Sequence, residues 1–390
     1  MSRLFIVDAV CAQLLGHNYT LVTEYRKYFL KMGKYAQVIP VVTKILPFID
    51  GQKDGLERRL NFLYYDVIKP SHLTSEEILA AEGLIGDESV AVKDFEKLFK
   101  DFDFGPEDTI FYPSVDFFGL AGLLTVLKDI PVKKAPKIHA RFIGVLENAS
   151  KNYPSSREEL FNRIGSLQGM GHRFEISSET PKFADYLSSR LGVEVHVTPM
   201  PLFNEMIPLS QEKPFTVISP GSGRLDKGFL KLNEVIEGLL KKYPLYNIQF
   251  EIQNLPPKQV LNHKHYVLNL YSLPRTKLHP ATISIQEMQD MYKRSHLVIM
   301  PYERTVYNMR GSAILAESVS YGRQILAGGG GGYESQVEYY GLGKICNSTD
   351  DYIENIIRYY ETPFEELANK SRQARARYAV NSTAAYGLWA

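Results

Sequence analysis

Short apolar runs separated by longer stretches of helical period organise this chain. Residues 4–7 and 37–42 read as strands. Between them, 19–32 sets Leu21, Tyr25, Tyr28, Phe29 and Met32 near one helical face. The alternation recurs at 109–112, a glycine-containing helix around 118–128, and 137–143. A strand at 172–176, a helix near 180–191 and a strand at 193–197 complete the first series. The stretch from about 50 to 108 is less regular and predicts helices inserted over the first domain. A second series starts at Phe215. It runs through a helix at 230–240, strands at 248–252 and 296–300, helices at 285–293 and 311–321, and short strands at 324–326 and 344–346. Residues 350–380 are mostly helical. Strands alternating with helices predict an α/β chain built on largely parallel sheets covered by helices.

Pro199 and Pro201 resist regular structure, so the crossing between domains is placed at 198–203. The reading is a Rossmann-like domain over 1–203, a second over 204–370, and a helical segment over 371–390 that is free to pack back on the first. A length of 390 residues suits two such domains.

Hydrophobic residues make up 44% and charged residues 23%, a soluble and globular balance. With 45 Lys and Arg against 44 Asp and Glu, a broad nucleic-acid surface is not indicated. The first eight residues read as a buried strand rather than a secretion signal, and no apolar run reaches membrane-spanning length. Cys11 and Cys346 are far apart and outside any metal-like cluster, which predicts reduced thiols and a cytoplasmic setting. Peripheral membrane contact stays open, with Lys133, Lys134, Lys137, His139 and Arg141 as a local basic patch.

The candidate chemistry lies after two strands of the second series. The run at 215–219 ends at Pro220; Gly221, Gly223, Arg224, Lys227 and Gly228 follow before a helix. A strand, a flexible turn and a helix start bring backbone N–H groups and two cations around one anionic group. Arg224 offers a rigid fork of donors and Lys227 a compact charge, which suits a diphosphate. The spacing is neither the dinucleotide-binding nor the triphosphatase glycine pattern. Further on, the strand ending at Pro301 leads to Arg310, Gly311 and Ser312, then a helix carrying Glu317. That helix start points to an anion, and Glu317 suits sugar hydroxyls. In the first series, Gly16 and His17 occupy a loop before a helix, and His139 sits on a strand.

Together, 217–228 and 311–328 resemble the second domain of GT-B glycosyltransferases, in particular the retaining, nucleotide-sugar-dependent GT4 family. The resemblance implies two Rossmann-like domains facing across a cleft. It assigns the donor diphosphate to Arg224 and Lys227, the helix-start contacts to Gly311 and Ser312, and the donor ribose to Glu317. Gly223 and Arg310 join these donor contacts, Gly16 and His17 lie near the donor phosphates, and His139 faces the donor sugar. His139, Arg224 and Lys227 are the residues expected to act in the reaction. One departure stands out: Met309 occupies the place where many members carry a second glutamate.

The implied reaction is retaining transfer of a sugar, a hexose being the expected cargo, from a nucleoside-diphosphate sugar to a saccharide or lipid-linked glycan hydroxyl. No essential metal and no other cofactor are expected: Asp101 and Asp103 have the spacing of a metal-binding pair but precede rather than end a strand. A sugar-nucleotide epimerase, a phosphorylase, or a noncatalytic nucleotide-sugar-binding regulator are the alternatives.

Overall fold

A computed structural model describes residues 2–12, 14, 17–47, 55–61, 89–115, 117–143, 154–211 and 214–389. The chain forms two compact units. The first comprises Met1–Glu179, Phe183–Thr198 and the last three residues; the second comprises Pro199–Gly387 with residues 180–182.

In the first unit, in chain order, the elements are β1 (Arg3–Asp8), α1 (His17–Met32), β2 (Gln37–Thr43), β3 (Glu57–Leu60), α2 (Ser89–Phe102), β4 (Thr109–Tyr112), α3 (Phe117–Lys128), β5 (Lys137–Phe142), α4 (Pro154–Gly169), β6 (Phe174–Ser178), α5 (Pro181–Leu191) and β7 (His196–Val197). The strands form one parallel sheet in the order β3-β2-β1-β4-β5-β6-β7. Central strands read as unbroken apolar runs because helices cover both faces. Phe111 of β4 takes edge-on contacts from Tyr25 and Phe29 of α1, with centroids 5.1 and 5.7 Å away. Most of the apolar face predicted for α1 is therefore its core face.

The second unit continues with β8 (Phe215–Ser219), α6 (Phe229–Lys242), β9 (Ile248–Gln253), α7 (Pro257–Asn262), α8 (Lys264–Ser272), β10 (Thr276–His279), α9 (Ile285–Arg294) and β11 (Leu297–Met300). The one-turn α10 (Arg304–Tyr307), α11 (Ala313–Ser320), β12 (Gln324–Gly328), α12 (Glu334–Tyr340), β13 (Gly343–Cys346), α13 (Thr349–Glu361) and α14 (Phe364–Trp389) complete it. Its parallel sheet runs β10-β9-β8-β11-β12-β13. Val217, Phe229, Leu232, Ile236, Phe250 and Ile299 are among the buried side chains that join β8, α6, β9 and β11 in one core.

The strand order reverses once in each sheet, between β1 and β4 and between β8 and β11. Loops leaving the carboxyl ends of two such strands diverge to opposite faces and open a crevice, where ligands of open α/β sheets bind. In the second unit the two loops are those that follow Ser219 and Met300. They are the two stretches singled out in the sequence.

Buried polar clamps hold the strand ends. Glu251 of β9 receives two N–H donors from Arg294, both at 2.8 Å, and pairs with His279 at 2.7 Å. Arg323, 2% exposed, donates to the carbonyls of Tyr292, Ile207 and Tyr321. In the first unit Arg141 donates to the carbonyls of Thr198 and Pro113 at 2.8 and 3.0 Å and lies 3.5 Å from Glu179.

Candidate functional site

After β8 the chain approaches its neighbours so closely that side chains are excluded. A Cβ on Gly223 would stand 2.6 Å from the carbonyl oxygen of Gln253, and one on Gly221 2.9 Å from the Lys227 ammonium. Residues 225–227 form a single 3-10 turn that closes on Gly228, whose φ of +70° is left-handed. Gly228 also lies against the carbonyl of Pro301, so the loop after β8 and the loop after β11 touch backbone to backbone. The amide of Glu303 donates to the carbonyl of Asp226 at 2.8 Å and adds a second tie.

These ties place the predicted cations beside the second loop. Arg224 donates to the Tyr307 hydroxyl at 2.7 Å and pairs with Asp226 at 2.9 Å, its guanidinium still 45% exposed. The Lys227 ammonium stands 6.0 Å from the ring centre of Tyr302, within cation–π range. Tyr302, Tyr307 and Tyr333 form a buried aromatic cluster beneath them, with centroids 4.6 to 6.1 Å apart. Burial and then the neighbouring Arg224 push the Lys227 ammonium down to about 8, against the pull of Asp226 and Glu317. Burial pushes the Glu317 carboxyl up to about 7, with Lys227 opposing it. A cation and a carboxylate are thus held near each other in a half-dry setting. An incoming anion would restore the full charge of Lys227.

Ser312 is the N-cap of α11, its hydroxyl accepting from the Leu315 amide at 3.3 Å. A helix leaves its first amides without intrahelical acceptors, and only one of these is taken by the cap. The first turn of α11 leans on the other loop, for a Cβ on Gly221 would meet Ile314 at 2.7 Å. Arg310 precedes this helix start; its Nε is buried with no hydrogen-bond partner among the described residues, and both Arg224 and Arg310 act on the Tyr307 phenol. Arg224, Lys227, Gly223, Arg310, Gly311, Ser312 and Glu317 therefore gather at one end of one sheet.

The glycine run at 328–332 is a packed bed rather than a loose connection. Gly332 donates its amide to the Tyr307 carbonyl at 2.7 Å, and a Cβ there would stand 2.5 Å from the Met309 carbonyl carbon. Gly330, at φ +87°, lies under Arg304, and Gly328 faces the Tyr302 carbonyl.

The first-unit candidates stand differently. Gly16 lies outside the described residues, and His17 is the first residue of α1. His139 is 1% exposed inside the sheet, its Nε2 paired with the Ser177 hydroxyl at 2.7 Å and its ring edge-on to Phe111. Burial holds its imidazole down to about 4, against the pull of Glu175, so the ring is neutral. Arg141 is equally buried. Of the supposed basic patch only Lys133 and Lys134 are exposed, Lys137 being paired with Glu175 at 2.8 Å. Two site residues were missed as such: Tyr307 and Asp226, the partners of Arg224. A tyrosine in the loop before Arg310 was a visible signal; the role of Asp226 was not, because an acid inside a cationic loop has no fixed meaning in sequence.

The chain has the GT-B architecture. A solved α,α-trehalose-6-phosphate synthase from Burkholderia multivorans superposes over 99% of this chain and 94% of its own, at a TM-score of 0.64 and 13% identity. The lipopolysaccharide outer core galactosyltransferase WaaB, in its apo form, matches over 99% of both chains at 0.64 and 13%. An E. coli trehalose-6-phosphate protein bound with UDP-2-fluoro glucose matches over 99% of this chain and 98% of its own at 0.64 and 11%. No protein-family model matches the chain, and comparison with curated proteins finds no match in sequence.

Proposed function

We propose that this chain transfers a sugar from a nucleoside-diphosphate sugar to an acceptor hydroxyl, with retention at the anomeric carbon. The observation that carries the reading is the gathering of Arg224, Lys227, Arg310 and Glu317 around the start of α11 at the β8–β11 crossover. The fold shared with a trehalose-6-phosphate synthase, with a galactosyltransferase and with a protein bound to a UDP-sugar analogue supports it.

In this reading the bond between the anomeric carbon and the diphosphate breaks while the acceptor oxygen bonds to the same face. The departing diphosphate takes the acceptor's proton. Arg224 and Lys227 bear the charge that develops on that leaving group, with the first amides of α11 adding aligned dipoles and no resident metal required. Glu317 accepts from the donor ribose, and the exposed edge of Arg224 meets the phosphates. His139 and Arg141 act indirectly, as positioning residues that hold the carboxyl ends of β4, β5 and β6. A saccharide or lipid-linked glycan is the proposed acceptor class.

The test is mass spectrometry of the purified chain incubated with a panel of nucleotide sugars and simple glycan acceptors, UDP-sugars first, beside Arg224→Ala. A sugar-sized mass gain on an acceptor, lost in the variant, supports transfer. An interconverted nucleotide sugar with no acceptor product would replace it with an epimerase. Saturable donor binding without turnover across a broad acceptor panel would favour a regulator.

A further inference from the structure

One stretch of the second unit has an unusual composition. From 252 to 286 there is no Asp or Glu, while Lys258, Lys264, Arg275 and Lys277 all fall within it. Over the same stretch large apolar side chains point into solvent. Leu261 is 78%, Leu268 55% and Tyr271 58% exposed. Lys264, Leu268 and Tyr271 follow at spacings of four and three on α8, so they share one outward stripe, and Leu261 stands exposed on α7 before the break at His263.

The stripe cannot turn inward. Val267 and Leu270 are buried along the flank of α8 that packs on α6, where Asn269 donates to the Asn233 side chain at 3.1 Å and to the Glu237 carboxylate, and Asn233 donates back to the Tyr266 carbonyl. Just past α8, Arg275 grips the carbonyls of Pro244 and Tyr246. That grip holds Leu245, 94% exposed, on the turn that follows Lys241 and Lys242.

We infer that this face is a docking surface for an anionic lipid bilayer. Charge complementarity argues for it: Lys258, Lys264 and Lys277 are all exposed on this stretch beside the carboxylate of Glu237 on α6, and the long lysine stems let the ammonium groups reach phosphates while neighbouring leucines enter the acyl boundary. The shape argues the same way. The apolar side chains project singly from a short helix and a turn, as suits insertion into a fluid layer, whereas a protein hot spot calls for close-packed pockets. The inference goes beyond the donor-site reading and does not depend on it, because lipid binding is read with no sugar donor present.

The experiment is co-sedimentation of the full chain with vesicles of phosphatidylcholine alone and of phosphatidylcholine with phosphatidylglycerol in equal parts. The chain is expected to bind the mixed vesicles, to be released by salt, and to ignore the neutral ones. Two variants read the two halves of the surface. Lys258→Glu with Lys264→Glu should lose about fivefold or more in affinity per lysine, since each cation near an anionic surface contributes about that factor. Leu268→Ser with Tyr271→Ser should lose about tenfold, with the circular dichroism and melting of the wild type. Absence of wild-type binding to mixed vesicles at low salt would overturn the inference, as would binding that both variants retain. A wild-type dimer in light scattering that the Leu268 and Tyr271 changes dissociate, with no lipid binding, would make the face a self-contact and overturn it equally.

Discussion

Replacing Gly228 by alanine tests the claim that the two crossover loops are locked by direct backbone contact. Gly228 has φ +70°, and a left-handed backbone costs a residue with a Cβ roughly 1–2 kcal/mol. The new methyl would also overlap the Pro301 carbonyl. Relieving the overlap means moving one loop off the other, and overpacking of this kind adds about 1–3 kcal/mol. The expected loss is therefore about 2–5 kcal/mol. Gly341 is the control. It has φ +63° in the same unit, but a Cβ there meets only the far end of the Arg377 side chain, whose Nε donates to the Tyr340 carbonyl, and no backbone. Gly341→Ala should show the backbone cost alone, about 1–2 kcal/mol. Urea unfolding followed by tryptophan-independent far-UV dichroism measures both, and calorimetric titration with UDP measures the site. Gly228→Ala should lose nucleotide affinity while Gly341→Ala keeps it. If the two alanines cost the same and bind alike, the loops are not locked and the reasoning fails.

Other predictions concern the buried charges. Burial pushes the Glu251 carboxyl up, but the paired donors of Arg294 and the contact with His279 win and hold it at about 2. Its stabilisation is complete above the ordinary carboxylate range and is lost as pH falls toward that value. Glu251→Gln should flatten this acid limb and cost about 2–3 kcal/mol at neutral pH, discounted because Arg294 is half exposed; urea midpoints across the acid range decide it. Glu317 has the opposite sign: with its carboxyl raised to about 7, stability falls as pH rises from the ordinary range through that point. Glu317→Gln should remove the fall, and a pH series in which both proteins decline in parallel would refute it. Arg141→Met strands the carbonyls of Thr198 and Pro113 and should cost about 3 kcal/mol in the first unit, with Arg141→Lys recovering only part; thermal melts of both variants check this.

Much of the fold was legible because parallel strands covered on both faces leave unbroken apolar runs. The strand predicted at 109–112 is β4, and β8, β9 and β11 lie within a residue or so of their predicted runs. The strands that escaped notice, β3 and β10, are the edge strands Glu-Arg-Arg-Leu and Thr-Lys-Leu-His, too short and polar to show a period. Helices α4, α7, α8, α10 and α12 were also missed: four are a few turns at most, but α4 runs 16 residues and alternates apolar and polar positions too weakly to show a clear face. For the candidate site, the turn that carries Arg224 and Lys227 and the helix start at Ser312 were legible because glycine-rich turns and helix starts have local signatures. The surroundings of His139 were not. Strand alternation tells which residues share a face, but in a sheet buried on both sides either face leads inward.

The glycine bed under the 302–310 loop bears on how this enzyme-like surface can diversify. At Gly330 and Gly332 a single methyl group collides with the Arg304 side chain or the Met309 backbone, and at Gly328 it would crowd the Tyr302 carbonyl. Random change at those positions would yield misfolded chains far more often than altered ones. Adaptive drift is thereby channelled to the outer side of the 302–310 loop, where Arg304, Thr305 and Asn308 keep exposed or half-exposed side chains. A mutational library aimed at new ligands should leave 328–332 constant and spend its diversity there.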